Sequence, residues 1–282
     1  MSYRDKIREH VRLLAIAGAA AVAFTAVTAV APGGPAARAT TDSTPAITVA
    51  DGNSVIAVQT ASDGLRFYWN EHGTNNWHGE QVAADGTTFS APSIAQVGNT
   101  VVIVAEGIFN SLDLYWQTNG ASGWNAETVA RIRTTYSVPS VVQDGNATII
   151  SAEGPSNSLD FYWAVNGSPT WNADPMPGGD VSQSSIVAYP GSPGGVHVVA
   201  RELFGALADQ TDVNGSGTWQ YTTVCGQGLF NPECAVSAPS ATMNGGLLNI
   251  ADEDASGNLN FFWQDSSGTF HEELVDTGAN LD

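Results

Sequence analysis

Positive charge is what this sequence has least of. Its 282 residues carry nine basic side chains against 28 acidic ones, a formal charge of −19, and Lys6 is the only lysine. A surface this anionic repels phosphate backbones and lipid headgroups, which argues against nucleic-acid and peripheral membrane partners. Cysteine is nearly as scarce. Cys225 and Cys234 are the only two, enough for one bridge across a short loop in an oxidising compartment. The Gly-Gln-Gly-Leu-Phe-Asn-Pro-Glu between them offers Glu233 and no histidine, so a zinc site has too few ligands. Beyond residue 31 no long apolar run exists, and no window carries a 3.6-residue apolar period, so neither a second membrane segment nor helices are expected.

The one long apolar run is N-terminal. Arg4, Lys6, Arg8 and Arg12 precede small apolar residues from Leu13 to Ala31, and Ala37-Arg38-Ala39 offers a small-residue cleavage site before Thr40. That pattern predicts an export signal over 1–39, a short linker over 40–44 and a secreted, extracellular mature chain with no membrane insertion after cleavage; a retained anchor is the alternative. Cleavage takes away five of the nine basic residues and only Asp5 and Glu9 among the acids, so the net charge moves from −19 to −22.

What fills the rest is a repeat. Leu65-Arg-Phe-Tyr-Trp69, Leu112-Asp-Leu-Tyr-Trp116, Leu159-Asp-Phe-Tyr-Trp163 and Leu259-Asn-Phe-Phe-Trp263 are one motif, and Trp69, Trp116 and Trp163 are 47 residues apart. A second aromatic follows each: Trp77, Trp124, Trp171, Trp219 and Phe270. Units begin near 45, 92, 139, 184 and 239. Within a unit, β-branched and aromatic runs such as Val101 to Ala105 and Leu112 to Gln117 alternate with Gly/Asn/Ser turns, which reads as four short strands. Such a meander buries both faces only by stacking against copies of itself. The expected fold is all-β, a five-bladed β-propeller of four-stranded antiparallel blades over 45–282. Unit 4 departs from the pattern, with Asp209-Gln-Thr211 where the others carry the aromatic triplet.

The turns before the second aromatic read Asn119-Gly-Ala-Ser-Gly-Trp124, Asn166-Gly-Ser-Pro-Thr-Trp171, Asn214-Gly-Ser-Gly-Thr-Trp219 and Asp265-Ser-Ser-Gly-Thr-Phe270. They resemble the Asp box, the Asp-x-Gly-x-Thr-Trp hairpin of sialidase-type propeller blades. That resemblance implies fold without implying hydrolysis, because in that family the box is structural. Repeat number and length are also similar in plan to the tachylectin type of animal lectin, which implies one amino-sugar site per blade.

Catalysis finds little support. The first strands, Ser93-Ile-Ala-Gln and Ser140-Val-Val-Gln among them, present no carboxylate pair near an axis. Polar residues do recur. Glu106, Glu153 and Glu253 each stand ten residues before a third-strand Trp, and Asp113 and Asp160 share another position. With Trp77, Trp124 and Trp171 they form a candidate set for shallow repeated sugar sites, the indoles offering a stacking face and an N–H donor. Blade-to-blade hydrogen bonding and hairpin anchoring are the structural alternatives for the same residues. Asp252, Asp254 and Asn258 space oxygen ligands like the start of a calcium loop, but Trp263 stands where the bidentate Glu belongs, and a tight hairpin between the second and third strands is the preferred reading. No other cofactor is indicated. The leading expectation is a non-catalytic recognition protein for extracellular or cell-surface glycans, binding through units 1, 2, 3 and 5. A glycoside hydrolase or lyase of sialidase-like fold and a structural or protein-binding propeller are the alternatives.

Overall fold

The computed structural model describes residues 44–71, 74–119, 121–176, 183–188, 195–213, 218–226 and 234–277. The export signal, the linker before Thr44 and the Asn214 turn lie outside the described residues.

Sheet 1 contains β1 (Ala46–Ala50), β2 (Asn53–Gln59), β3 (Leu65–Asn70) and β4 (Trp77–Ala83). Sheet 2 contains β5 (Ser93–Val97), β6 (Thr100–Glu106), β7 (Leu112–Thr118) and β8 (Asn125–Ala130). Sheet 3 contains β9 (Ser140–Asp144), β10 (Ala147–Glu153), β11 (Leu159–Val165) and β12 (Asn172–Pro175). Sheet 4 contains β13 (Gln183–Ala188), β14 (Gly195–Arg201), β15 (Leu207–Val213) and β16 (Trp219–Cys225). Sheet 5 contains β17 (Ser240–Asn244), β18 (Leu247–Glu253), β19 (Leu259–Gln264) and β20 (Phe270–Asp276).

Each sheet is an antiparallel meander in chain order, as the short turns demand. Asp51 and Gly52, both at positive φ, close the β1–β2 hairpin in two residues, the turn whose twist matches that of the strands it joins. A bulge recurs where the third strand begins to pair with the fourth, between Leu65 and Arg66, Leu112 and Asp113, Leu207 and Ala208, and Leu259 and Asn260.

Alternation along the third strand sends its residues into two different interfaces. Leu65 and Phe67 of sheet 1 pack against Ile94, Ile103 and Tyr115 of sheet 2. Leu112 and Leu114, on the other side of sheet 2, pack against Val141, Ile150 and Tyr162 of sheet 3. Leu159, Phe161 and Trp163 meet Ile186, Val196 and Val198 of sheet 4. Val199 and Leu207 meet Leu248, Ile250 and Phe262 of sheet 5. The first strands stand side by side in the succession β1, β5, β9, β13, β17. The result is five face-packed sheets, an arrangement consistent with a β-propeller. Among the described residues, no apolar cluster joins sheet 5 back to sheet 1.

Candidate functional site

The chain crosses between sheets at one end of the molecule. There the β4–β5 link folds over the β2–β3 turn, with Thr87 and Thr88 N–H donating to Asp63 O (2.9 and 2.8 Å). The β8–β9 link repeats this, with Thr134 and Thr135 donating to Asn110 O (2.9 and 3.0 Å). Glu106, Glu153 and Glu253 close the second strands at this same end. Each receives a link from the preceding sheet: its backbone N–H donates to Ser90, Ser137 or Ser237 Oγ, and its carbonyl accepts from Phe89, Tyr136 or Val236 N–H. The repeated glutamates are therefore tied by their backbones, and their side chains are left half-buried at the junctions.

The junction of sheets 2 and 3 is the most developed. Asn110 Nδ2 donates to Glu106 Oε1 at 2.6 Å. Burial holds the Glu106 carboxyl above its ordinary range. Burial, then the charge of Glu106, push the carboxyl of Glu153 up to about 7. The turn and the link that meet here carry exposed apolar side chains: Ile108 and Phe109 on the turn, Ile132 and Tyr136 on the link, joined by Arg133 N–H donating to Phe109 O at 2.8 Å. Phe109 is 73% exposed and sits at φ 57°, a left-handed conformation that costs a bulky residue of order 1 kcal/mol or more. Phe204 holds the equivalent place in sheet 4, also exposed and at φ 61°.

The aspartates of the repeat look inward instead. Asp113 Oδ1 accepts from Thr128 Oγ1 at 2.9 Å, while Asp160 accepts from Ser158 Oγ and Tyr162 OH at 2.9 and 3.2 Å. They anchor the bulged start of the third strand. A methyl group on Gly107 or Gly154 would overlap these carboxylates at 1.9 and 2.2 Å, which is why glycine precedes each turn.

The fourth-strand tryptophans lie at the opposite end of the sheets, because a meander puts the end of its second strand and the start of its fourth at opposite poles. Trp124 Nε1 donates to Glu80 of sheet 1 (2.8 Å), and Trp171 Nε1 to Glu127 of sheet 2 (2.8 Å). Both indoles are half-buried, and Trp124 meets Phe67 edge to face at 5.1 Å. They bolt neighbouring sheets together. Trp77, without a preceding sheet, is 47% exposed. The pairing of a repeated Glu with a repeated Trp in one sugar site is thus corrected: the two sets occupy different ends. Sequence reasoning passed over Glu80 and Glu127, although their fixed spacing after Trp77 and Trp124 was the available signal.

At Asp252, Asp254 and Asn258 the structure has the tight hairpin between β18 and β19. Asp254 Oδ1 caps its own turn, accepting from Ser256 and Asn258 N–H at 2.8 and 3.0 Å, and its Oδ2 accepts from Asn258 Nδ2 at 2.9 Å. Asp252 is buried beneath it and bound by Ser237 Oγ at 2.7 Å. Three oxygen ligands do not converge, and no cluster of three or more His, Cys, Asp or Glu side chains suited to a metal occurs among the described residues. At the axis, a cavity of ≈ 280 Å³ is lined by Thr44, Pro92, Ser93, Pro139, Ser140, Pro239 and their neighbours, with no ionisable side chain.

Sheet 4 holds a group that the repeat did not reveal. His197 Nδ1 lies 2.9 Å from Asp209 Oδ2 and 3.2 Å from Thr211 Oγ1, with His197 and Asp209 both buried. Gln210 is fully buried beside them. Cys225 and Cys234 form a disulfide against the sheet 4–sheet 5 core.

No family model matches the chain, and no curated protein matches it. Solved structures do. The BP39L lectin from Burkholderia pseudomallei superposes with a TM-score of 0.71 at 18% identity, over 83% of this chain and 70% of that one. SapL1 lectin, solved with alpha methyl fucoside, gives 0.64 at 14% identity over 84% and 81%. The fungal lectin from Aleuria aurantia, described as a six-bladed β-propeller with a novel mode of fucose recognition, gives 0.59 at 13% identity over 80% and 75%. The fold is that of a β-propeller. Its sheets are blades, and five of them lie among the described residues.

Proposed function

We propose that the protein is a secreted, five-bladed propeller lectin that binds glycans at the junctions between blades, on the face that carries the repeated glutamates. The observation that carries this reading is the Glu106 junction: a half-buried carboxylate held by Asn110, on a turn that exposes Phe109 and is hydrogen-bonded through its backbone to the link that exposes Ile132 and Tyr136. Aromatic faces for C–H stacking beside a few fixed acceptors are the chemistry of a shallow sugar site. A left-handed, solvent-facing Phe is disfavoured unless the position is used. The likeness to fucose-binding lectins supports the same reading and makes fucosides the first ligands to try. Export is supported by the basic and apolar N-terminus together with the Cys225–Cys234 bridge. The Asx hairpin at Asp265, whose Oδ1 accepts from Ser267 and Thr269 N–H at 2.8 and 3.1 Å, supports the resemblance to Asp-box blades.

A glycan array on the purified chain, followed by titration calorimetry with the best ligand, tests the proposal. Binding is expected to fall by roughly five- to a hundredfold in Phe109→Ala and Glu106→Gln, since each removes a contact of about 1–3 kcal/mol. Trp171→Ala is expected to leave the affinity of this junction unchanged, its indole standing at the other end. No glycan bound anywhere on the array, or equal loss from the Trp171 variant, would overturn the assignment.

A further inference from the structure

The links that cross from blade 1 to blade 2 and from blade 2 to blade 3 are built to one plan and carry opposite charge. In the first, Gly86 N–H donates to Ser62 O, and Thr87 and Thr88 then donate to Asp63 O. In the second, Arg133 N–H donates to Phe109 O, and Thr134 and Thr135 then donate to Asn110 O. Arg133 therefore stands where the first link has glycine, and both residues take a left-handed backbone, at φ 64° and 76°. A Cβ on Gly86 would meet nothing within 4 Å, so what favours glycine at this place is the backbone conformation and not the space. An arginine held there carries a conformational cost that glycine does not. Positions of that kind persist where the side chain is used.

The neighbouring residues change charge as well. Ala84-Asp85-Gly86 in the first link answers to Arg131-Ile132-Arg133 in the second, one negative charge against two positive. Beyond residue 39 the chain has four lysine or arginine side chains, Arg66, Arg131, Arg133 and Arg201, so half of them fall in these three residues. Two of the four serve the fold: Arg201 is half-buried and donates to Val236 O, and Arg66 lies over the Tyr68 ring at 5.6 Å. Arg131 and Arg133 are exposed, and neither forms an ion pair with a described residue. The fold makes no use of their charge.

We infer that the Glu106 junction takes an acidic glycan, a sugar bearing a carboxylate or a sulfate group, and that Arg133 with Arg131 receives that group. The inference deepens the glycan reading above and rests on it. Arg133 N–H is bound to Phe109 O at 2.8 Å, so a guanidinium and a solvent-facing aromatic ring belong to the same backbone contact. A guanidinium presents paired donors that match two oxygens of a carboxylate or sulfate, the ring offers a stacking face to the sugar, and Glu106, held by Asn110, is an acceptor for sugar hydroxyls. The net charge of the chain repels an anion at long range. Preference for an acidic ligand must therefore come from contact, and two exposed arginines beside the exposed Phe109 supply it.

The test is a glycan array that sets lactose beside sialyllactose, and N-acetyllactosamine beside its sulfated form, with fucosides as neutral references, followed by titration calorimetry of the pair bound best. The acidic member is expected to bind about tenfold more tightly than its neutral partner near 50 mM salt, the yield of one good charge-assisted pair, with the advantage falling to roughly twofold or less near 0.5 M. Whichever pair shows the advantage identifies carboxylate or sulfate as the group received. Arg133→Gly, the residue that the first link already uses, is expected to remove the advantage, to leave neutral binding unchanged and to keep or raise Tm, because the left-handed backbone then suits its residue. Arg133→Gln is expected to remove the advantage without raising Tm. Neutral binding that depends on Phe109, with no advantage for either acidic member, overturns this inference and leaves the glycan reading standing. Binding of no sugar on the array overturns both. An acid preference that survives Arg133→Gly combined with Arg131→Gln places the charged group elsewhere and overturns the inference too.

Discussion

Where blade 3 carries Phe161, Tyr162 and Trp163 on its third strand, blade 4 carries Asp209, Gln210 and Thr211 at the equivalent positions of the same meander. In blade 3 the strand is sealed by apolar area, with Trp163 fully buried and its Nε1 donating to Asp174 Oδ2 at 2.9 Å. In blade 4 the equivalent face is sealed by a hydrogen-bonded His197–Asp209–Thr211 group, and an adjacent disulfide ties the link to blade 5. The difference shows that the repeat constrains geometry more tightly than chemistry. Either filling serves this face, where His197, Asp209 and Thr211 bond one another; Gln210, on the opposite face of the strand, is buried with no hydrogen-bond partner for its amide among the described residues. The second strands differ too: Glu153 closes β10, and Arg201, at the equivalent position, closes β14 with Nη1 donating to Val236 O at 2.6 Å.

The largest expected effect breaks the apolar version. Trp163→Ala should cost about 3–5 kcal/mol, the range for emptying a buried aromatic site, read as a lower urea midpoint with unchanged slope. Thr211→Val, at the counterpart position in blade 4, keeps the volume but removes the hydroxyl bound to buried His197 and Asp209, and should cost about 1–3 kcal/mol, less than the emptied aromatic site. Equal losses at the two sites would erase the distinction.

An intermediate effect sharpens it. The bridge between Cys225 and Cys234 closes a loop of sequence separation 9, for which chain entropy gives about 2–3 kcal/mol. Replacing both cysteines with Ala is expected to lower stability by that amount and, under limited proteolysis, to expose the blade 4–blade 5 link before any blade 2–blade 3 site. First cleavage in the blade 2–blade 3 link would contradict a compensating role.

How far these contrasts were legible in the sequence depends on their range. Strand number, the four-strand unit and the inward-facing Leu and Phe of each third strand follow from the 47-residue spacing and a period of two, both local. That blade 4 departs from the rule was visible in Asp209-Gln-Thr211. The partner His197 was not singled out, because it lies within a valine run and is paired with Thr211 only by register. The opposite poles of Glu106 and Trp124 were in principle legible, since alternate strand directions fix them.

The smallest expected effect concerns the one position where the two blades carry opposite charge. Burial and the neighbouring charge of Glu106 raise the Glu153 carboxyl from an ordinary 4.5 to about 7 in the folded chain. A raised carboxylate is stabilising in a relative sense while both states are protonated, and that contribution is lost as pH rises through the folded value. Between about pH 4.5 and 7 the unfolded chain therefore releases a proton that the folded chain keeps, and stability falls with rising pH. Glu153→Gln removes this slope. Comparing the two proteins by urea unfolding at pH 5, 6, 7 and 8 cancels the titration of groups they share, such as Asp252, itself raised to about 6 by burial. The variant is expected to gain on the wild type as pH rises from 5 to about 7 and to level off toward 8, by a modest amount because solvent screens a half-exposed group. Arg201→Gln, at the same position of blade 4, removes a cation whose charge lowers the Asp252 carboxyl, so its difference from the wild type should follow the titration of Asp252 instead. A flat difference for Glu153→Gln would mean that its carboxyl is not held up by the Glu106 junction.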